Sequence, residues 1–159
     1  MKFVNRTKEL EHLEKEYKSR EAKFVVVYGR RRVGKTSLIE EFIKHKPAIY
    51  YLAAEEDDAL QIKEFKDAIS IYLNDEFLSK TNFESWQHLF SYLEKIWPKN
   101  DRIILDIDEV TYVIKGNSAF PSYLQRFWDT FLSKTKTYLI LAGSLVGLLM
   151  KSILSADSP

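Results

Sequence analysis

The sequence predicts an α/β fold in which a mostly parallel sheet lies between two layers of helices. Four short runs rich in β-branched and aromatic residues alternate with longer segments whose apolar residues recur every three or four positions. Strands and helices that alternate in this way are typical of parallel sheets joined by right-handed crossovers. The first and third runs also lead into polar motifs, at the end of the strand where parallel sheets bind ligands.

The individual elements follow from periodicity and from turn residues. Asn5 or Thr7 is suited to cap the first helix, Pro47 interrupts the pattern before the second strand, and Trp97–Asn100 forms a turn before the third. In chain order, the predicted elements are a helix to about Lys18, a strand at Lys23–Tyr28, a helix from Ser37, a strand at Ala48–Ala53, a helix carrying Leu60 to Leu73, a helix at Phe83–Ile96, a strand at Arg102–Glu109, a helix at Phe120–Phe131, a strand at Thr137–Ala142 and a helix at Leu145–Leu154.

Two of these segments have an ordinary structural interpretation. The acidic run Glu55–Asp58 precedes a helix and suits the positive end of its dipole, so we interpret it as a solvated helix start. A cation or partner site is the alternative for this run. The apolar and aromatic residues of Phe120–Phe131 recur at helical spacing, which indicates a stripe that faces the core rather than a binding site.

A glycine-rich segment follows the first strand and reads G-x-x-x-x-G-K-T. Its glycines permit a sharp turn whose N–H groups point at phosphate oxygens, and the helix that follows adds its dipole. Lys35 would reach the β- and γ-phosphates, and the Thr36 hydroxyl would bind Mg²⁺. The side chains of Arg30–Arg32 are expected to face solvent or a subunit contact while their backbone serves the phosphates. The residues predicted to bind nucleotide here are Gly29, Arg30, Arg31, Arg32, Val33, Gly34, Lys35, Thr36 and Ser37.

The third strand ends in carboxylates, as a phosphate-loop enzyme requires. We assign Asp108 to Mg²⁺, through a water, and Glu109 to orienting or deprotonating the attacking water. Asp106 lies two residues before Asp108 and points to the same side of the strand, so the identity of the carboxylate beside Mg²⁺ stays open. For Asp106 we favour a structural carboxylate satisfied by a neighbouring hydroxyl or Lys over direct metal contact.

The fourth strand ends at Gly143–Ser144. Ser144 is a candidate to hydrogen-bond the γ-phosphate or the lytic water, and capping of the final helix is an equal alternative. A whole strand–helix unit separates the two strands that carry the motifs, and in P-loop proteins this separation with an Asp-Glu ending indicates a further strand inserted between them. We therefore predict a three-layer P-loop NTPase fold with strand order 1-4-3-2.

Composition and charge exclude several classes of protein. The chain is 45% apolar, 14% aromatic and 30% charged, as in an ordinary globular domain. A net charge of +1 does not indicate nucleic acid or an anionic membrane as a partner. The absence of cysteine excludes disulfides and thiolate metal sites. The longest apolar run, Tyr138–Met150, is too short for a membrane span, and the N-terminus lacks the apolar core of a signal peptide, so a cytoplasmic location is expected.

The chain resembles the archaeal ATPase family, which belongs to the signal-transduction (STAND) class of AAA-like P-loop ATPases. The resemblance spans nearly the whole chain. It rests on Phe3–Leu10, which matches the family's opening F-x-x-R-x-x-E-L, on Gly29–Thr36, on Asp108–Tyr112 and on Gly143–Ser144. These matches imply a nucleotide-binding ATPase domain.

The resemblance also implies contacts and a length. Val4, Asn5 and Arg6 would lie near the adenine or ribose, although Asn5 stands where the family has Gly. Family members continue past a Ser-Pro like Ser158-Pro159 into the rest of the ATPase module, which includes a basic residue that acts on the γ-phosphate, and into a winged-helix-like region. We therefore expect residues 1–159 to be one P-loop ATPase domain, truncated before that remainder and missing a fifth strand beside the first. An edge exposed in this way favours a homo-oligomer or pairing with the missing C-terminal region.

Together these features predict an ATP-binding protein whose Mg²⁺-dependent hydrolysis at the γ-phosphate drives a conformational switch between ATP and ADP states. The alternative is a nucleotide-binding switch or interaction module with little or no turnover, since no downstream basic group is found in the chain. Glu109 distinguishes the two, because an inactive switch does not need a carboxylate that orients water. A small-molecule kinase shares the loop, but no Arg-rich lid segment follows residue 110. The lack of an N-K-x-D segment favours ATP over GTP.

Overall fold

The structure is a computed structural model, and it describes residues 7–28 and 34–144. Within these ranges, four strands and seven helices alternate along the chain. In order, they are α1 (Thr7–Lys18), β1 (Lys23–Tyr28), α2 (Lys35–Ile43), β2 (Ala48–Leu52), α3 (Asp58–Leu73), α4 (Glu76–Lys80), α5 (Trp86–Ile96), β3 (Ile104–Asp108), α6 (Val110–Gly116), α7 (Phe120–Thr130) and β4 (Tyr138–Gly143), with a 3-10 turn at Leu132–Lys134 before β4.

All four predicted strands are confirmed, and most boundaries agree within two residues. The prediction of one helix from Phe83 is wrong at its start, because the Ser85 side chain accepts a hydrogen bond from the N–H of His88 and caps α5 there. The short helices α4 and α6 were not predicted, since five and seven residues give too little periodicity to recognise. The predicted last helix, Leu145–Leu154, lies outside the described residues.

The sheet has the predicted spatial order β1-β4-β3-β2, and every neighbouring pair is parallel. β1 and β2 are the edge strands of the sheet within the described ranges. Because the strands are parallel, their carboxyl ends meet at one edge, where Tyr28, Gly143, Asp108 and Leu52 end their strands. Ligand-binding residues of an open α/β sheet are expected at this edge.

The two faces of the sheet carry separate apolar clusters, which gives the three layers. α1 and α2 cover one face and pack on Ile104, Ile140 and Ala142. α3, α5, α6 and α7 cover the other face. The predicted core role of the apolar stripe in Phe120–Phe131 is confirmed, because Phe120, Leu124 and Phe127 are buried in this second cluster, and Tyr123, Trp128 and Phe131 pack against it. In the two described ranges no helix combines the length and the apolar character needed to cross a membrane.

The last two carboxylates of the acidic run have structural roles at the start of α3. Asp57 caps the helix by accepting a hydrogen bond from the N–H of Leu60 at 2.8 Å. Asp58 accepts one from the indole Nε1 of Trp86 at 2.8 Å and one from the Nδ2 of Asn117 at 3.2 Å. Half of the acidic run therefore stabilises the helix start and ties it to its neighbours, whereas Glu55 is exposed and Glu56 is half-buried.

Candidate functional site

The residue before α2 has an unusual backbone conformation. Gly34 precedes the helix with φ of 82°, in the left-handed region that favours glycine, and its carbonyl accepts the N–H of Leu38 at 2.9 Å. The helix begins at Lys35, and Ser37 is half-buried in its first turn. The other predicted nucleotide contacts lie outside the described residues: Val4, Asn5, Arg6, Gly29, Arg30, Arg31, Arg32 and Val33, together with the side chains of Lys35 and Thr36.

The carboxylates of β3 lie on the face of the sheet that α2 covers. Asp106 and Asp108 alternate with the buried apolar residues of the opposite face, so their predicted common side is confirmed, and both are fully buried. Asp108 accepts a hydrogen bond from the Tyr50 hydroxyl through Oδ2, at 2.7 Å, and one from the N–H of Glu109 through Oδ1, at 2.8 Å. These two bonds fix the orientation of the Asp108 carboxylate at the end of its strand.

Tyr50 is a site residue that the sequence analysis missed. It lies on β2 opposite Asp106, and its hydroxyl reaches two residues further along β3 to Asp108. Burial, the hydrogen bond to Asp108 and the nearby charges of Asp106 and Glu40 all raise the pKa of the Tyr50 hydroxyl, which therefore stays a donor. A tyrosine in an apolar strand gave no signal of this role, because the pairing register with β3 is not visible in the sequence.

The hydrogen bonding of Asp106 differs from the prediction, which gave it a neighbouring hydroxyl or Lys as partner. Neither of its carboxylate oxygens has a hydrogen-bond partner in the part of the chain that the structure describes. The prediction was wrong because, among the described residues, the hydroxyl of the facing Tyr50 bonds to Asp108 instead. Burial, and secondarily the charge of Asp108, raises the pKa of Asp106 well above its usual range.

Glu109 ends β3 with an unusual backbone conformation. Its φ of 54° and ψ of 40° place a non-glycine residue in the left-handed region, so the strand stops at Asp108, one residue earlier than predicted. Glu109 then precedes the first residue of α6. Such conformations cost free energy and persist where the surrounding structure imposes them, which is common at functional sites.

The end of β4 contacts the start of α6 and brings Ser144 to the same region. The Thr111 hydroxyl donates to the carbonyl of Ser144 at 2.7 Å. A Cβ on Gly143 would lie 3.1 Å from the Thr111 hydroxyl and 3.4 Å from the backbone N of Val110, so only a small residue fits there. Ser144 is therefore positioned close to the element that Glu109 begins, while the predicted helix beyond it lies outside the described residues.

Gln61 of α3 is a second residue that the sequence analysis missed. It is fully buried, and its Nε2 donates to the carbonyls of Ala54 and Tyr112, each at 3.0 Å. A Cβ on Gly116 would approach the Gln61 Oε1 to 2.8 Å, so the end of α6 passes close to this amide. Gln61 thus holds α6, and with it the residue Glu109, against α3. A glutamine beside the core residue Ile62 was the only signal in the sequence.

A cavity of about 380 Å³ lies between α1, β1 and the first turn of α2. Its lining residues are Lys8, Glu9, His12, Leu13, Val25, Val26, Val27 and Leu38. It is mainly apolar and is next to the start of α2. In the ranges 7–28 and 34–144, no three His, Cys, Asp or Glu side chains converge in a way that would hold a metal ion.

This architecture defines a P-loop ATPase fold, with a parallel β1-β4-β3-β2 sheet, a glycine before α2 and carboxylates at the end of β3. The chain belongs to a family of ATPase domains found predominantly in Archaea, whose sequence model matches residues 3–158.

Two relatives come from Methanocaldococcus jannaschii. An uncharacterized protein is 36% identical over 157 residues, which are 99% of this chain and 33% of that protein. An uncharacterized ATP-binding protein is 52% identical over 44 residues, which are 28% of this chain and 75% of that protein. The chain thus spans about a third of the length of the first relative.

Two solved structures share the fold. A Walker-type ATPase of Pyrococcus abyssi superposes with a TM-score of 0.67 and 22% identity, over 94% of this chain and 48% of that one. The ORC2 protein of Aeropyrum pernix, solved in ADPNP and ADP complexes, gives a TM-score of 0.62 and 15% identity, over 95% of this chain and 43% of that one. At these identities the likeness establishes the fold.

Proposed function

We propose that this chain binds ATP with Mg²⁺ and hydrolyses it at the γ-phosphate, and that hydrolysis drives a conformational switch. The observation that carries the proposal is the arrangement of β3: a buried, hydrogen-bonded Asp108 and the left-handed Glu109 lie at the sheet edge where α2 begins with a left-handed glycine. Metal-binding and water-orienting carboxylates are needed at this place in P-loop NTPases.

In this proposal the phosphate contacts come from the loop and helix start. The backbone N–H groups of Gly29–Gly34 surround the phosphates, Lys35 binds their β- and γ-oxygens, and Thr36 and Ser37 complete the first turn of α2. Thr36 and Asp108 would hold Mg²⁺, with Asp108 acting through a water. When bound, the metal would neutralise negative charge that develops on the phosphates during transfer.

In the proposal, Glu109 acts on the water that attacks the γ-phosphate. Its carboxylate would orient or deprotonate the water for in-line attack, and Ser144 would hydrogen-bond the γ-phosphate or that water. Asp108 is favoured over Asp106 as the carboxylate beside Mg²⁺, because it ends the strand and its two hydrogen bonds orient it. The left-handed Glu109 and the α6 that follows would then form the element whose position depends on the nucleotide.

The base of the nucleotide fits the cavity between α1, β1 and α2. The volume of about 380 Å³ is sufficient for a purine, and valine and leucine side chains supply apolar walls. Val4, Asn5 and Arg6 immediately precede α1, which lines this cavity, and in the proposal they contact the adenine or ribose. The name of the ATP-binding relative and the ADPNP and ADP of the Aeropyrum neighbour support an adenine nucleotide.

The alternative function is a nucleotide-binding switch or interaction module with little or no turnover. The observation that favours it is the length of the match: the chain spans 33% of its relative from M. jannaschii and 48% of the Pyrococcus ATPase. In this alternative, groups that complete the catalytic site, such as a basic residue at the γ-phosphate, come from another part of a longer protein or from a partner. The outer edge of β1, which pairs with no further strand in the described ranges, would accept such a partner.

Calorimetry with ATP and GTP, with and without Mg²⁺, combined with a phosphate-release assay on the same sample, tests the proposal. Lys35→Ala should weaken ATP binding at least about tenfold, whereas Lys44→Ala, an exposed lysine just after the same helix, should not change it. Glu109→Gln should retain binding and lose hydrolysis, with the exposed Glu94→Gln as the matched control. Binding without phosphate release in the wild type would support the alternative, and unchanged affinity in Lys35→Ala would overturn the phosphate-loop assignment.

A further inference from the structure

The side-chain amide of Gln61, on α3, joins two segments that lie on either side of the end of β3. Its Nε2 donates to the carbonyl of Ala54, two residues after β2, and to the carbonyl of Tyr112, in the first turn of α6, each at 3.0 Å. Gln61 is fully buried, so these hydrogen bonds are shielded from competing water. The amide therefore sets the spacing between the end of β2 and the start of α6.

Both of these segments are also bonded to the backbone at the end of β3. The N–H of Ala53 donates to the carbonyl of Asp108 at 3.0 Å. The N–H of Tyr112 donates to the carbonyl of Glu109, also at 3.0 Å. Gln61 therefore supports the turn that carries Glu109 from two sides.

The backbone of Glu109 needs such support. Its φ of 54° and ψ of 40° lie in the left-handed region, which costs free energy for a residue with a side chain and persists only where neighbouring contacts impose it. A third contact comes from β4, where the carbonyl of Ser144 accepts the Thr111 hydroxyl at 2.7 Å. Because a side chain follows its own backbone, a shift at the start of α6 would redirect the Glu109 carboxylate.

The last residue of α6 packs closely on the same amide. A Cβ on Gly116 would lie 2.8 Å from the Gln61 Oε1, which is the closest atom, and 3.5 Å from the carbonyl oxygen of Glu56. The φ of Gly116 is not positive, so alanine is compatible with its backbone. The obstacle is the end of a flexible side chain, and an added methyl group would therefore displace the Gln61 amide.

We propose that Gln61 is a positioning residue for hydrolysis, which holds the start of α6 so that the Glu109 carboxylate meets the attacking water. This inference rests on the proposed function of Glu109. Because Gln61 acts through Glu109 rather than on the phosphates, its loss lowers the rate of the chemical step and leaves the affinity for Mg²⁺-ATP nearly unchanged. A misplacement of about 1 Å can cost a reaction about a hundredfold in rate.

Steady-state ATP hydrolysis and calorimetric binding of Mg²⁺-ATP, measured on the same variants, test this role. Gln61→Met keeps the length of the side chain and removes both hydrogen bonds, so kcat should fall at least about tenfold while Kd stays within about threefold. Gln125→Met is the matched control, because Gln125 is also buried but its Nε2 donates to Asp129 of its own helix, α7. Its kcat should remain within about twofold of the wild type.

Gly116→Ala perturbs the same amide without changing Gln61. It should lower kcat at least about fivefold, because the new methyl group displaces the amide. In a Gln61→Ala background, where the amide is absent, the same change should alter kcat by less than about twofold. Hydrogen exchange of residues 110–116, which does not depend on catalysis, should be faster in Gln61→Met than in Gln125→Met.

Equal kcat values in Gln61→Met and Gln125→Met, or an equal effect of Gly116→Ala in both backgrounds, would overturn the positioning role. So would a loss of Mg²⁺-ATP affinity as large as the loss of kcat, because Gln61 would then support the nucleotide site as a whole. A wild type that binds Mg²⁺-ATP without releasing phosphate would instead overturn the proposed hydrolysis. Unchanged exchange of α6 in Gln61→Met would overturn the hold of Gln61 on α6, whether or not the chain hydrolyses ATP.

Discussion

Buried charged residues lie at both ends of the central strand β3, but their surroundings differ. Before the strand, Arg102 is 5% exposed and lies over the rings of Tyr17 and Tyr138, with its guanidinium carbon 5.3 and 5.2 Å from their centroids. Its guanidinium donates to four carbonyls, those of Glu16, Tyr17, Glu21 and Lys136. These hydrogen bonds join the end of α1 to the segments that lead into β1 and β4.

At the other end, the buried groups are the carboxylates Asp106 and Asp108. Asp106 has no hydrogen-bond partner among the described residues, and Asp108 is oriented by Tyr50 and by the N–H of Glu109. A buried charge held by several hydrogen bonds serves stability, whereas a carboxylate oriented at the carboxyl end of a central parallel strand is suited to a cationic ligand. The difference indicates that the amino end of β3 maintains the fold and that the carboxyl end binds ligand.

The largest expected effect is at the stabilising end. Arg102→Met should lower the free energy of unfolding by about 3–5 kcal/mol, because four carbonyls lose a charged donor in a buried place. Chemical denaturation monitored by circular dichroism measures this change. Arg126→Met, at an exposed arginine of α7, is the control and should shift stability by less than about 0.5 kcal/mol. A loss of similar size in both variants would contradict a special role for Arg102.

At the ligand end, the effect should appear in affinity. Asp108→Asn should weaken Mg²⁺-dependent ATP binding at least about tenfold, because one charge beside the metal is removed without changing the shape. Asp106→Asn should remain within about threefold of the wild type, since Asp106 lies two residues before the end of β3. Calorimetry with and without Mg²⁺ distinguishes them. The reverse ranking would assign the metal to Asp106.

A smaller effect is expected at the residue that orients Asp108. Tyr50→Phe removes the hydroxyl bonded to the Asp108 Oδ2 and should weaken Mg²⁺-dependent ATP binding about fivefold, which is the magnitude of one hydrogen bond. Affinity without Mg²⁺ should not change, and this gives the internal control. Equal weakening with and without the metal would show that Tyr50 acts on the general shape of the site rather than on Asp108.

The smallest effect concerns pH and the pair Glu56–Glu64. Because the folded pKa of Glu64 is raised above its usual 4.5, its stabilising contribution is complete below that pH and is lost as pH rises through the folded value. Glu64→Gln should remove this loss, so that its stability declines less than that of the wild type as the pH rises above about 4.5. Denaturation at several pH values measures it. Parallel curves for the two proteins would contradict the raised pKa.

The fold was largely predictable because its signals are local. The strand before the glycine-rich loop, the apolar strand with acidic residues at its end and the strand order follow from short motifs and their separation along the chain. The common side of Asp106 and Asp108 follows from the period of a strand. α4 and α6 were missed because helices of five and seven residues have too few turns to show a periodic pattern.

The partners of the site were not predictable because they depend on register between distant segments. Tyr50 reaches Asp108 across 58 positions of sequence, and Gln61 reaches the carbonyl of Tyr112 across 51. The hydroxyl expected for Asp106 is present, but the register of β2 against β3 and the length of the tyrosine side chain direct it to Asp108. Motifs therefore identified the acidic residues, and only the structure identified their neighbours.

The most direct test is the free energy of unfolding with and without Mg²⁺-ATP, measured for the wild type, Arg102→Lys and Asp108→Asn. At a ligand concentration of 100 times the wild-type Kd, the wild type should gain about 2.7 kcal/mol, since a ligand that binds the folded state stabilises it by mass action. Arg102→Lys should be less stable without ligand but gain the same amount, whereas Asp108→Asn should keep its stability without ligand and gain clearly less. An equal gain in Asp108→Asn and the wild type, or a loss of gain in Arg102→Lys alone, would contradict the division of β3 into a stabilising end and a ligand-binding end.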